Sequence, residues 1–202
     1  MKREIAKGLL SIKAVFLSPD DPFTWASGIK SPIYCDNRLI LTAPKVRDIV
    51  EQEMADLIRR EFPECEVLMG TSTAGIAHAA IVGHILNMPM GYVRSSNKSH
   101  GRANRIEGEL KYGQNVLVIE DLISTGGSSL EVVNALKDNG ANVLGVISIF
   151  TYGTNKAKRM FDEAGVKNLS LTDICTLTEV AAEEGYIDNK QKEEIRKWVL
   201  EI

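Results

Sequence analysis

Apolar positions along this 202-residue chain fall into two alternating kinds of segment. Short unbroken runs at Val67 to Met69, Met90 to Val93, Val116 to Ile119, Asn142 to Phe150 and Leu169 to Leu171 predict strands. Such runs suit a sheet covered on both faces, which leaves no side for polar residues. Between them apolar residues recur at helical spacing. Ile5, Leu9, Ile12 and Phe16 predict one amphipathic helix, and Val46, Ile49, Val50, Met54, Leu57 and Ile58 a second that starts after Pro44, where a missing N–H costs nothing. Ile76 to Leu86, the stripe Leu130, Val133 and Leu136, and residues 155–164 predict three more. Strands alternating with helices imply an α/β fold, a central parallel sheet flanked by helices on both faces. Ligands of such sheets gather beyond the C-terminal strand ends, so the loops after Met69, Val93 and Asp121 converge on one place.

The third of these loops carries the densest chemistry. The run Val116 to Ile119 ends on Glu120 and Asp121, and Ser124-Thr125-Gly126-Gly127-Ser128-Ser129 then opens a helix. Free N–H groups and the positive end of a helix dipole make that opening an anion cradle. Two carboxylates beside it suit sugar hydroxyls, so a phosphorylated ribose fits both features. The plainer alternative is an ordinary strand-turn-helix in which glycine supplies turn geometry. The acidic pair weighs against it, because adjacent carboxylates in a crevice repel each other until something fills the site. The loop has neither the Gly-Lys-Ser/Thr ending of a P-loop nor the spacing of a dinucleotide fingerprint. The loop after Val93 is long, polar and basic: Arg94, Lys98, His100, Arg102 and Arg105 stand in a stretch with almost no apolar anchor. That composition suits either a solvated surface loop or a segment ordered by an anion.

Composition narrows the setting. A hydrophobic share of 44% supports a packed core, and nothing Pro-, Gly- or Ser-rich divides the chain, so residues 1–202 read as a single domain. A net charge of -3 argues against nucleic acid as a partner. Cys35, Cys65 and Cys175 are odd in number and widely spaced, which points to a reducing compartment and away from a zinc site. No stretch has the apolar length of a membrane span, and Glu4, Lys7 and Lys13 interrupt any signal-like core, so a cytoplasmic protein is expected. His84 sits among Ile81, Val82, Ile85 and Leu86 and reads as structural; neither it nor His78 is placed in the site.

Residues 116–129 resemble the 5-phosphoribosyl 1-diphosphate (PRPP) motif of the type I phosphoribosyltransferases. Arg94-x-x-x-Lys98-x-His100-Gly101 and Ser27-Gly28-Ile29-Lys30-Ser31-Pro32-Ile33-Tyr34 are similar to the mobile loop and base-covering segment of the orotate phosphoribosyltransferases within that family. Gly70-Thr71-Ser72-Thr73-Ala74-Gly75 is then the diphosphate loop, and the resemblance covers nearly the whole chain. Ala26, Ala74 and Ser95 stand where some members carry a basic residue, and Thr151-Tyr152-Gly153 points to another branch.

The resemblance implies the type I fold with a small N-terminal hood formed partly by about residues 1–40. It implies transfer of ribose 5-phosphate from PRPP to orotate, giving orotidine 5'-monophosphate and diphosphate in pyrimidine biosynthesis. Lys98, His100 and Asp121 are then the expected catalytic residues. PRPP contacts are expected from Thr71, Ser72, Thr73, Arg94, Lys98, His100, Glu120, Asp121, Leu122, Ile123, Ser124, Thr125, Gly126, Gly127 and Ser128. Orotate contacts are expected from Tyr34, Arg38, Ser124 and Tyr152. Magnesium is expected mainly through PRPP, with no protein ligand assigned. A homodimer is implied in which loop 95–108 acts on the neighbouring subunit's site. Transfer to another base, or PRPP binding by a regulator of the same fold, remain the alternatives.

Overall fold

The computed structural model describes residues 1–24, 28–95 and 105–201. Chain order begins α1 (Lys2–Ser11), β1 (Val15–Leu17), β2 (Phe23–Thr24), β3 (Lys30–Ser31), β4 (Ile33–Cys35), a 3-10 turn (Asn37–Thr42) and α2 (Pro44–Glu61). The alternating part follows: β5 (Val67–Thr71), α3 (Ala74–Leu86), β6 (Met90–Val93), β7 (Ile106–Glu107), β8 (Asn115–Ile123), α4 (Gly127–Asp138), β9 (Asn142–Thr151), α5 (Asn155–Ala164) and β10 (Asn168–Asp173). Two helices close the chain, α6 (Ile174–Glu183) and α7 (Asn189–Glu201).

The six-stranded sheet runs β10-β9-β8-β5-β6-β7. All its pairings are parallel except β6 with β7, so the predicted parallel sheet gains one short antiparallel edge. One apolar layer, including Leu117, Ile119, Ile147 and Ile149, packs under α1, α2, α3, α6 and α7. The other, including Val116, Val118 and Val146, lies under α4 and α5. Successive residues of β8 alternate between the two layers, which is why its sequence reads as a continuous apolar run. The first layer also encloses a polar pair: His78 Nδ1 on α3 lies 2.5 Å from Glu51 Oε1 on α2. Burial raises the proton affinity of Glu51, and both side chains are almost wholly enclosed.

Four expectations change. Phe16 is not on the first helix: Lys13 takes φ 55 just past its end, the chain turns, and Phe16 falls on β1. Helix α1 packs on α6 and β10 as part of the body, leaving β1 to β4 as the appendage. His84 is exposed rather than buried among its apolar neighbours. Finally, α6 and α7 were not legible. Helix α6 is rich in β-branched residues that mimic a strand, and α7 buries only Ile195 and Val199 fully, too narrow a stripe to stand out. Among the described residues no helix is long and apolar enough to cross a membrane.

Candidate functional site

The C-terminal ends of β5, β6 and β8 meet at the acidic pair. Strand β8 continues past the pair to Ile123, so Glu120 and Asp121 lie within the ladder rather than at its end. Glu120 is 6% exposed. Its carboxylate accepts from Thr71 Oγ1 at 2.6 Å, from Ser129 Oγ at 3.0 Å and from the Asp121 N–H at 3.0 Å. Burial, and then the charge of Asp121, push its carboxyl up to about 8, and it shares a hydrogen bond with the Asp121 side chain. The upward shift of Glu120 favours a proton shared within the pair, which relieves the repulsion expected of neighbouring carboxylates.

Asp121 is only partly buried and lines two adjoining clefts. The first, about 280 Å³, is walled by Ser72, Thr73, Ser95, Arg105, Leu122 and Ser128. The second, about 290 Å³, lies on the hood side between Cys35, Asp36, Arg38, Ala74 and Leu122. Thr73, Ala74, Asp121 and Leu122 border both. A molecule with a neutral, polyol-like middle and two different ends can thus lie across Asp121 with one end in each cleft.

Tight packing builds the near walls. A side chain at Gly75 would bring Cβ within 2.4 Å of the Ile119 carbonyl, so only glycine lets the 70–75 loop lie against β8. Gly126 has φ 83, and a Cβ there would meet the Phe161 ring at 2.9 Å. Gly126 is the N-cap of α4 and no side chain caps that helix, so its first N–H groups are offered to a ligand. Helix α3, which follows the 70–75 loop, has no side-chain cap either.

The structure places the expected PRPP residues unevenly. Thr73, Leu122 and Ser128 face the first cleft, while Ser124, Thr125 and Gly127 are part-buried in the adjoining turn. Thr71 and Ser72 also line the cleft, but Thr71 is committed to Glu120 and Ser72 Oγ donates to the Val93 carbonyl. Ile123 is a core side chain whose carbonyl accepts the Tyr152 N–H at 3.0 Å. Arg94 is half-buried beside Glu107, at 3.7 Å, and its carbonyl accepts from Arg105 Nε at 2.8 Å. Lys98 and His100 lie outside the described residues.

Of the expected orotate contacts, Arg38 lines the second cleft and is held by Asp36 through Nε at 2.6 Å and Nη2 at 2.8 Å. Tyr34 is 39% exposed with its ring 5.9 Å from that of Phe23, and it is not among the residues lining either cleft. Tyr152 does not reach a cleft. It is 2% exposed, packed edge-on against Phe150 and Trp198, with its hydroxyl hydrogen-bonded to the Cys35 backbone. Its aromatic character serves the core.

Several residues escaped sequence reasoning. Asn37 is 1% exposed; its Nδ2 donates to the Asp121 carbonyl at 2.7 Å while its Oδ1 accepts from Cys35 Sγ at 3.2 Å. No local pattern marks it. Thr154 caps α5 and donates to the Ser124 carbonyl at 2.9 Å; a hydroxyl immediately before the predicted helix at 155–164 was the available signal. Arg105 was noticed only as loop charge, and its place on the cleft wall depends on β7.

Comparisons with known proteins agree with this geometry. The model of the phosphoribosyl transferase domain family matches residues 38–184. The orotate phosphoribosyltransferase of Listeria monocytogenes serotype 4b is 53% identical over 198 residues, 98% of this chain and 95% of that protein. Among solved structures, the Aeropyrum pernix orotate phosphoribosyltransferase superposes with a TM-score of 0.78 at 25% identity, over 91% of this chain and 99% of that one. Leishmania donovani UMP synthase gives a TM-score of 0.84 at 26% identity over 98% of this chain, which corresponds to 42% of that longer one.

Proposed function

The chain belongs to the phosphoribosyltransferase family, among the orotate phosphoribosyltransferases, and from that premise we propose how its residues divide the transfer of ribose 5-phosphate from PRPP to orotate. The observation that carries the assignment is the acidic pair and the uncapped α4 N-terminus on one cleft. The 5-phosphate sits in the turn Ser124 to Ser128, held by N–H groups and the helix dipole. The ribose hydroxyls lie over Glu120 and Asp121. The diphosphate reaches Thr73 and Arg105, and orotate enters the hood-side cleft with its carboxylate toward Arg38. The exposed Tyr34, next in sequence to the cleft residue Cys35, turns its ring to the base when orotate is bound. Ser124 borders phosphate and base.

The ring nitrogen of orotate displaces diphosphate at the anomeric carbon. As this bond breaks, the sugar becomes oxocarbenium-like, so negative charge beneath it and positive charge beside the leaving group lower the barrier. Asp121 supplies the first directly. Glu120 supplies it on losing its proton, which positive charge arriving on the sugar or its counter-ion favours. Arg94, Lys98 and His100 supply the second, and Lys98 acts most strongly as charge develops on the diphosphate. Orotate arrives as an anion, so no general base is assigned.

Magnesium fits as a cation carried by PRPP. Among the described residues no cluster of three metal-binding side chains exists, and Asp121 is the carboxylate common to both clefts. It would meet the ion together with ligand oxygens, and the ion would neutralise leaving-group charge. The active form is a homodimer in the cytoplasm, with loop 95–108 of one subunit over the other's site.

The assay is PRPP-dependent loss of orotate absorbance, with adenine, hypoxanthine and uracil as controls. Turnover of another base alone overturns the assignment, and PRPP binding without any turnover favours a regulator. Mixing Lys98→Ala with Asp121→Asn subunits tests the dimer: about a quarter of all sites should recover if the loop acts across the boundary. Recovery near zero, with exchange confirmed, confines the loop to its own subunit.

A further inference from the structure

The hood and α7 lie at opposite ends of the chain and both largely outside the segment matched by the family model, yet they are tied together. Trp198 Nε1 donates to the Lys30 carbonyl on β3 at 2.8 Å. Seven residues earlier, Gln191 Nε2 donates to Asp20 Oδ2 at 2.8 Å. Residues seven apart share a helix face, so one side of α7 holds the β2–β3 hairpin on both flanks. The Trp198 ring also packs edge-on against Tyr152, 6.2 Å between centroids. Tyr152 in turn hydrogen-bonds the Cys35 backbone on β4, next to Tyr34. Hairpin residue Phe23 pairs with Ser31 across the ladder and backs the Tyr34 ring. Two of these ties, Lys30 to Trp198 and Asp20 to Gln191, end on α7, and the third runs through Tyr152, which packs on both Trp198 and Phe150.

We propose that Trp198 is a positioning residue: through Lys30 and Tyr152 it fixes the hood so that the Tyr34 platform is ready for the base, and it sets affinity for orotate without touching it. The proposal rests on the reading that the hood-side cleft takes the base. PRPP, bound through β5, β8 and α4, draws nothing from this tie, so the two substrates should respond differently.

Trp198→Phe keeps an aromatic ring beside Tyr152 and removes the N–H donor; Gln191→Ala cuts the other tie and leaves the core intact. In Trp198→Phe, amide exchange in β2 and β3 should quicken, and the KM for orotate should rise about three- to tenfold, the effect of one neutral hydrogen bond. The KM for PRPP and kcat should stay within about twofold, a split that general destabilisation does not produce. Gln191→Ala should move the same quantities in the same direction. Unchanged exchange in both variants overturns the clamp. Faster exchange with orotate KM unchanged, or with both KM values raised alike, overturns its role toward the base. Loss of orotate turnover by the wild-type protein would defeat the functional reading instead, and exchange alone would then decide the clamp.

Discussion

Four strands of the sheet end in a turn and a helix, and the four turns are finished in two ways. After β9 and β10 the helix N-termini are closed by the protein itself: Thr154 accepts from the Ala157 N–H and Asp173 from the Thr176 N–H. After β5 and β8, helices α3 and α4 begin with no side-chain cap. A cap contributes about 1 kcal/mol, so leaving two helices open costs stability and creates two anion sites beside the acidic pair. The same supersecondary unit is structural in one half of the sheet and receptive in the other. The difference lies at the helix start: a left-handed glycine for α4 and a threonine in right-handed helical conformation for α3, against a threonine and an aspartate in extended conformation for α5 and α6.

Removing charge on the receptive side should have the largest effect. Asp121→Asn is expected to lower kcat/KM for PRPP about 10²–10³-fold, by analogy with loss of one electrostatic stabiliser. Steady-state kinetics at saturating orotate check this, and unchanged values would reduce the pair to a structural feature. The neighbouring carboxyl makes the receptive half pH-sensitive when empty. Folding raises the proton affinity of Glu120 from an ordinary 4.5 to about 8. Its contribution to stability is therefore full below about pH 4.5 and fades as pH rises through 8. Glu120→Gln should flatten the fall in ligand-free stability across that window by a few kcal/mol. Denaturant melts at pH 5 and pH 8.5 would show parallel behaviour of the two proteins if the proton is not held there.

Converting one half into the other sharpens the contrast. Ser128→Asp puts a carboxylate in the open first turn of α4, where it should raise the KM for PRPP about tenfold or more while adding up to about 1 kcal/mol of stability through the dipole. A variant that binds PRPP normally would place the 5-phosphate elsewhere. The smallest effect belongs to the structural half: Asp173→Ala should cost about 1 kcal/mol from the lost cap and leave both KM values unchanged. Altered PRPP affinity in that variant would mean that the closed helix starts also serve the ligand.

Much of this was legible along the chain. Strand runs such as Val116 to Ile119, the helix after Pro44 and the Ser124 to Ser129 turn are local signals, and the structure keeps them with boundaries moved by a few residues. Glu120, Asp121 and the open turn were legible because charge repulsion and unsatisfied N–H groups are properties of adjacent residues. Tyr152 was misplaced because an aromatic near a strand end has the same sequence whether it faces ligand or core. Its 2% exposure comes from Phe150, Trp198 and Cys35, drawn from three parts of the chain.

The sequence by itself thus determined the alternating architecture, the anion cradle and the pair of acids, all governed by periodicity and nearest-neighbour chemistry. Only tertiary structure decided that burial raises the proton affinity of Glu120, that Asn37 holds the Asp121 backbone, and that the last helix grips the hood. Those facts rest on burial and on hydrogen bonds spanning 84 and 168 residues, and no local pattern encodes a contact whose two halves are specified so far apart.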